Sequence, residues 1–209
     1  KSIELDAKFA QAYHWLGINL MSQGEYAEAY LTLKKALELD PDNHVILMNF
    51  ATSALETKRF SEAEGACKRG LSVTPGYSQT WERLYTVYLY QGGLEKDIDD
   101  LVKEVESFIN KNEQIYSVLA HYYKDRDPVK FQKYVSEGRS YAGTAKGIQL
   151  DRYQLLDGDF SKYMDEAEKA FEVRKLQYAF GVEAIEYFIG ENKDNPRFKA
   201  LVGKFRQGR

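Results

Sequence analysis

Cysteine, histidine and proline are scarce in this chain: one, three and four residues respectively among 209. A lone cysteine, Cys67, can form no internal disulfide and no cysteine-cluster zinc site. The histidines, His14, His44 and His121, lack the i, i+4 spacing of a helical metal pair. With so little proline and no Ser-rich or Pro-rich tract, no flexible linker divides the chain, which reads as one continuous structure. Long apolar runs are missing too. Lys, Glu, Asp or Gln interrupts every stretch well short of the roughly 18 residues that a membrane span needs. The opening KSIELDAKF has no basic segment followed by an apolar run, so it does not read as a secretory signal. That leaves the compartment, cytoplasmic or periplasmic, undecided. Charge of one sign is also missing: the net value is -3 with both signs mixed. A strong non-specific nucleic-acid surface is therefore not expected. Neither a G-x-x-x-x-G-K loop nor a dinucleotide fingerprint occurs. No catalytic group, metal or cofactor is expected.

What remains, 44% hydrophobic and 29% charged residues, is enough to bury a core and stay in solution. Its order is periodic. Pro41 and Pro75 stand 34 residues apart, each after a helix-like apolar segment. The same shift pairs Tyr13 with Leu47 and Trp81, Leu16 with Phe50 and Leu84, Gly17 with Ala51, Tyr26 with Phe60, Ala29 with Ala63, and Leu33 with Cys67. Within one unit, apolar residues recur three and four apart on either side of Gln23-Gly24-Glu25, the pattern of two amphipathic helices joined by a tight turn. Gly17 and Ala29 are small where two helices cross closely, and Tyr13, Leu16 and Leu20 are expected to fill the groove between them. Pro41 stops the second helix.

This spacing of bulky residue, Leu-Gly, Gly-x-Tyr, Ala, Ala and Pro resembles the tetratricopeptide repeat, a 34-residue helical hairpin. The resemblance implies an all-α fold, a right-handed superhelical α-solenoid of antiparallel helix pairs. Residues 10–43 form the first repeat, 44–77 the second and 78–111 the third, whose second helix, about 94–109, is degenerate. Residues 1–9 align with the tail of a preceding repeat, Ala7 falling in the proline slot, so the parent protein is expected to extend upstream. Residues 112–143 and 144–175 are expected as degenerate helix pairs, with helices at about 113–125, 128–141, 145–157 and 160–174. The turn Asp157-Gly158-Asp159-Phe160 has the form of Gln23-Gly24-Glu25-Tyr26. Residues 176–209 would close the array with capping helices at about 177–189 and 196–206, because a last repeat face needs covering. Near that end, EAEKAFEVR and NPRFKALVGKF are similar to the close of the repeat region in bacterial signalling and transcription regulators.

In this family the first helix of each repeat lines a concave face. The groove positions are Gln11, His14, Trp15, Ile18, Met21 and Ser22, then Val45, Met48, Asn49, Thr52, Leu55 and Glu56, then Gln79, Glu82, Arg83, Thr86, Leu89 and Tyr90. His14, Trp15, Ile18, Met21, Met48, Asn49, Thr52, Leu55, Gln79, Arg83, Thr86 and Tyr90 form the candidate binding set. Its aromatic and Met side chains suit adaptable contact. The partner is expected to be a protein or peptide, and oligomeric state stays open. The subfamily that clamps carboxylate tails of chaperones places Lys, Asn and Arg at slots held here by His14, Ile18, Asn49, Gln79 and Arg83. Only Asn49 and Arg83 match, so that ligand is not expected. A second reading is a small-ligand or peptide sensor, with a pocket near Tyr116, Tyr122, Tyr123 and Tyr153.

Overall fold

The 34-residue interval is written in the backbone. The computed structural model describes residues 2–92, 95–108, 111–142, 153–156, 158–172, 192 and 194–207, and among them no strand occurs. The helices of the first half are α1 (Ser2–Ser22), α2 (Tyr26–Leu39), α3 (His44–Glu56), α4 (Phe60–Val73), α5 (Ser78–Gln91) and α6 (Glu95–Glu106). Between α1 and α2 the Gly24 N–H donates to Met21 C=O at 3.0 Å and the Glu25 N–H to Leu20 C=O at 2.9 Å. Between α3 and α4 the same two bonds recur 34 residues later, Lys58 to Leu55 at 2.9 Å and Arg59 to Ala54 at 2.8 Å. These bonds satisfy carbonyls that a helix end leaves open, and they need a left-handed residue at the turn. Gly24, Lys58 and Gly92 supply it with φ of 78°, 60° and 66°.

The second helix of each repeat ends in the same way. Asp40 N–H donates to Ala36 C=O and Thr74 N–H to Gly70 C=O, both at 2.9 Å. Pro41 and Pro75 follow. Asn43 then starts α3 by accepting from the Val45 and Ile46 N–H groups through Oδ1, an N-cap bond. Trp81 Nε1 donates to the Pro75 carbonyl at 2.7 Å and ties α5 to that turn.

Contacts divide the chain into two units, Lys1–Ile98 and Asp99–Arg209. In the first, α1 packs on α2, α3 on α4, α2 on α3 and α4 on α5, while α3 also touches α1 and α5. Small residues permit the close crossings: Ala29 and Ala63 are fully buried. A Cβ on Gly17 would stand 2.5 Å from Leu33 Cγ.

Two expectations change here. Residues 2–9 do not end a separate helix, because α1 runs unbroken from Ser2 to Ser22. Alanine in the proline slot at position 7 is the best helix former and stops nothing. Leu16 does not fill an interhelical groove either. It is 52% exposed, whereas its equivalents Phe50 and Leu84 are 7% and 4% exposed. Phe50 lies on α3, which has neighbours on both sides, whereas Leu16 lies where neither α2 nor α3 covers α1.

In the second unit, α7 (Glu113–Tyr123) packs on α8 (Pro128–Ala142), close to the expected pair. A Cβ on Gly138 of α8 would collide with the Tyr153 ring. Of the expected helix at 145–157, only the short α9 (Tyr153–Leu156) falls among the described residues. It packs on α10 (Phe160–Glu172), and the turn between them has Gly158 at φ 82°. The helix expected at 177–189 lies outside the described residues. The last one is α11 (Pro196–Gln207), which packs on α10. Asn195 Oδ1 accepts from the Arg197 N–H, Phe198 is buried, and Arg197 grips Glu168 with Nε and Nη2, each at 2.8 Å. The NPRF segment thus starts a helix and docks it.

Candidate binding groove

Because α3 touches both α1 and α5, the first helices of the three repeats form one wall in the first unit. The candidate residues are divided by this packing. His14, Met21, Asn49, Thr52, Leu55 and Thr86 are buried and build the wall itself. Ile18, Met48 and Arg83 are half-buried, and Trp15, Gln79 and Tyr90 are exposed. Trp15 is the most open of them at 62%. Of the other groove positions Gln11 is exposed, Ser22, Val45, Glu56 and Leu89 are half-buried, and Glu82 is buried.

Inside the wall, Asn49 Nδ2 donates to His14 Nε2 at 2.8 Å, joining α3 to α1. Burial holds the His14 imidazole below its ordinary pKa, in the neutral form that can accept this bond. Thr52 and Thr86 turn their hydroxyls back to the Met48 and Glu82 carbonyls in their own helices, which satisfies them without a ligand. The Arg83 Nε is buried with no hydrogen-bond partner. The accessible part of the wall is therefore mostly apolar and aromatic, with Arg83 the only cation among the groove positions.

The lone cysteine is buried. Burial pushes the Cys67 thiol up to about 12, so it stays protonated and unreactive at neutral pH. No group of His, Cys, Asp and Glu that could hold a metal ion occurs among the described residues.

The four tyrosines of the sensor reading all have internal partners. Tyr122 donates to Asp99 Oδ1 at 2.5 Å, Tyr123 to Glu106 Oε2 at 2.9 Å and Tyr153 to the Glu113 carbonyl at 3.3 Å, while Tyr116 bonds Glu137. Tyr123 belongs to a network that the sequence did not reveal. Glu106 Oε1 accepts from Tyr134 at 2.6 Å and from Lys130 at 2.9 Å, so one carboxylate of α6 collects donors from α7 and α8. Burial would raise the Glu106 pKa, but the bonds from Tyr134, Lys130 and Tyr123 outweigh it and hold the carboxyl below its usual range. Nothing in the spacing of these residues announces the network; tyrosine abundance is the only hint.

Residues 20–86 match the family model described as tetratricopeptide repeat. The TPR repeat-containing protein YpiA of Bacillus subtilis is 26% identical over 122 residues, 58% of this chain and 29% of that protein. The Sol locus transcriptional repressor of Clostridium acetobutylicum is 23% identical over 158 residues, 71% of this chain and 46% of that protein. The chain spans less than half the length of either relative. Among solved structures, MamA from residue 41 to its end, from Desulfovibrio magneticus RS-1, superposes with a TM-score of 0.51. Its identity is 16%, over 88% of this chain and 97% of that one, a likeness of fold. No helix among the described residues is long and apolar enough to cross a membrane.

Proposed function

We propose that this chain, whose residues 20–86 match the tetratricopeptide repeat, is a non-catalytic scaffold that holds a peptide segment of another protein. The supporting observation is the row of accessible apolar side chains on the wall of α1, α3 and α5: Trp15, Ile18, Met48 and Tyr90. Exposed aromatic and Met surface of this kind marks interaction sites. The preferred segment is apolar rather than an acidic tail. Arg83 is the one groove cation, and the Asn49 amide that could meet a carboxylate is committed to His14.

The wider setting we propose is a larger bacterial regulatory protein. The likeness to the clostridial repressor supports it, because it extends over 71% of the chain, well beyond the matched repeats.

Peptides selected from a display library on the wild-type chain supply the test. Trp15→Ala combined with Met48→Ala should weaken their binding at least about tenfold and leave the helical circular-dichroism spectrum intact. Equal affinity in the double variant removes the groove as the binding surface.

A further inference from the structure

His14 is buried in the seam between α1 and α3, and everything that meets its ring is uncharged. Asn49 Nδ2 of α3 stands 2.8 Å from its Nε2, the Gln11 amide nitrogen 3.5 Å from its Nδ1, and the Trp15 ring lies 5.9 Å away between centroids. The surrounding elements bring it no charge either. From Phe9 to Ser22, α1 has no charged residue, and its other titratable group there, Tyr13, has its ring beside Lys35 of α2. The charged residues of α2, Glu28, Lys34, Lys35 and Glu38, are exposed, and Tyr30 of that helix donates to Glu62. On α3 the titratable groups are His44 and Glu56 at its two ends. His44 sets its ring edge-on to Tyr77 at 4.8 Å. Burial is the single cause that holds the His14 pKa down, with no charged group contributing.

A proton on His14 is thus a charge in a wall that offers it no counter-ion. Turning the Asn49 amide over restores a hydrogen bond through Oδ1 but supplies no negative charge. Only water can stabilise the imidazolium, and the groove competes for the same surface. Ile18 lies one turn along α1 from His14, and Met48 is the residue before Asn49 on α3. A segment laid over Ile18 and Met48 takes water away from the face beside the seam.

On the premise that the groove holds an apolar segment, we propose that His14 is its acid-release switch: the groove grips the segment while the imidazole is neutral and lets go when the ring takes up a proton. Linkage fixes the sign. The occupied chain shields the seam further and holds the proton less readily than the free chain. Affinity is therefore greatest at a pH above the titration of His14 in the free chain and declines as the pH falls through it, by at most about tenfold per pH unit for one proton.

The probes are display-selected peptides with blocked ends and without His, Asp or Glu, so that the peptide itself does not titrate. Their Kd on the full chain, read by fluorescence anisotropy, should rise about threefold or more from pH 7.5 to pH 5.0. In His14→Gln the ratio of the two constants should fall to near one, whatever the affinity of that variant at pH 7.5. Proton NMR of the imidazoles, with His14 assigned by its loss in His14→Gln, should show that the bound peptide lowers the pH at which His14 titrates. Equal ratios in the two proteins, or a titration that the peptide does not move, overturn the switch and leave the groove reading standing. Loss of the helical circular-dichroism spectrum at pH 5.0 also overturns it, because acid would then act on the fold. Peptides that bind the Trp15→Ala, Met48→Ala double variant as tightly as the wild type at pH 7.5 remove the groove, and the switch with it.

Discussion

Asn49 and His14 meet across 2.8 Å between α3 and α1, with the amide donating to Nε2. That bond requires an unprotonated Nε2. The folded pKa of His14 lies below the ordinary 6.5, for which burial is responsible. The unfolded chain therefore binds the proton more readily, and stability is held above pH 6.5 and lost as the pH falls below it. Thermal melts at pH 7.5 and 5.5 should show a lower Tm at the acid value. The drop should shrink in His14→Gln, whose side chain does not titrate. A drop of equal size in both proteins would mean that His14 does not contribute.

Leu16 and Phe50 hold the same slot in successive repeats, and the structure separates their energetic roles. Phe50→Ala removes a buried ring and should cost about 3–5 kcal/mol. Leu16→Ala should cost less than about 1 kcal/mol, as exposed substitutions do. Urea denaturation of the two variants measures the difference, and similar losses would contradict the exposure of Leu16.

The 34-residue period made the helix pairs of the first two repeats legible, because proline, glycine and small residues mark its joints. Side-chain accessibility was less legible. Spacing places His14, Met21, Asn49, Thr52, Leu55 and Thr86 on the inner face of their helices. How closely those helices approach one another decides whether the face is wall or surface, and no local pattern encodes that distance. The fate of Leu16 was hidden for a related reason, since burial of that slot depends on a neighbour rather than on the residue. In the second unit, α7 and α8 followed from apolar periodicity, but the Glu106 network joins residues as far as 28 positions apart and has no period to reveal it.

Glu106 gathers two tyrosines and a lysine. Its folded pKa lies below the ordinary 4.5. This contribution is accordingly present above pH 4.5 and disappears as the pH falls through the folded value. Glu106→Gln should flatten the stability profile below pH 4.5. At pH 7 it should lower stability by about 1–3 kcal/mol, through the loss of charge-assisted bonds. Urea midpoints at pH 7 and pH 3.5 read both effects. An unaltered profile would show that the network has no part in acid sensitivity.

Lys58 occupies the turn conformation that glycine takes at positions 24 and 92. A left-handed backbone costs a non-glycine residue about 1–2 kcal/mol. Lys58→Gly should recover part of that, about 0.5–1 kcal/mol after the greater freedom of glycine in the unfolded chain is counted. A higher urea midpoint with an unchanged slope is the expected result. A lower one would mean that the lysine side chain contributes more than the strain removes.

The same turn bears on how such units are recognised. Lysine at residue 58 makes the bend that glycine makes at residues 24 and 92, so what this joint requires is a sign of rotation rather than an amino acid. A census of units that insists on the letter G at the bend passes over this one, whereas one that follows the angle counts it.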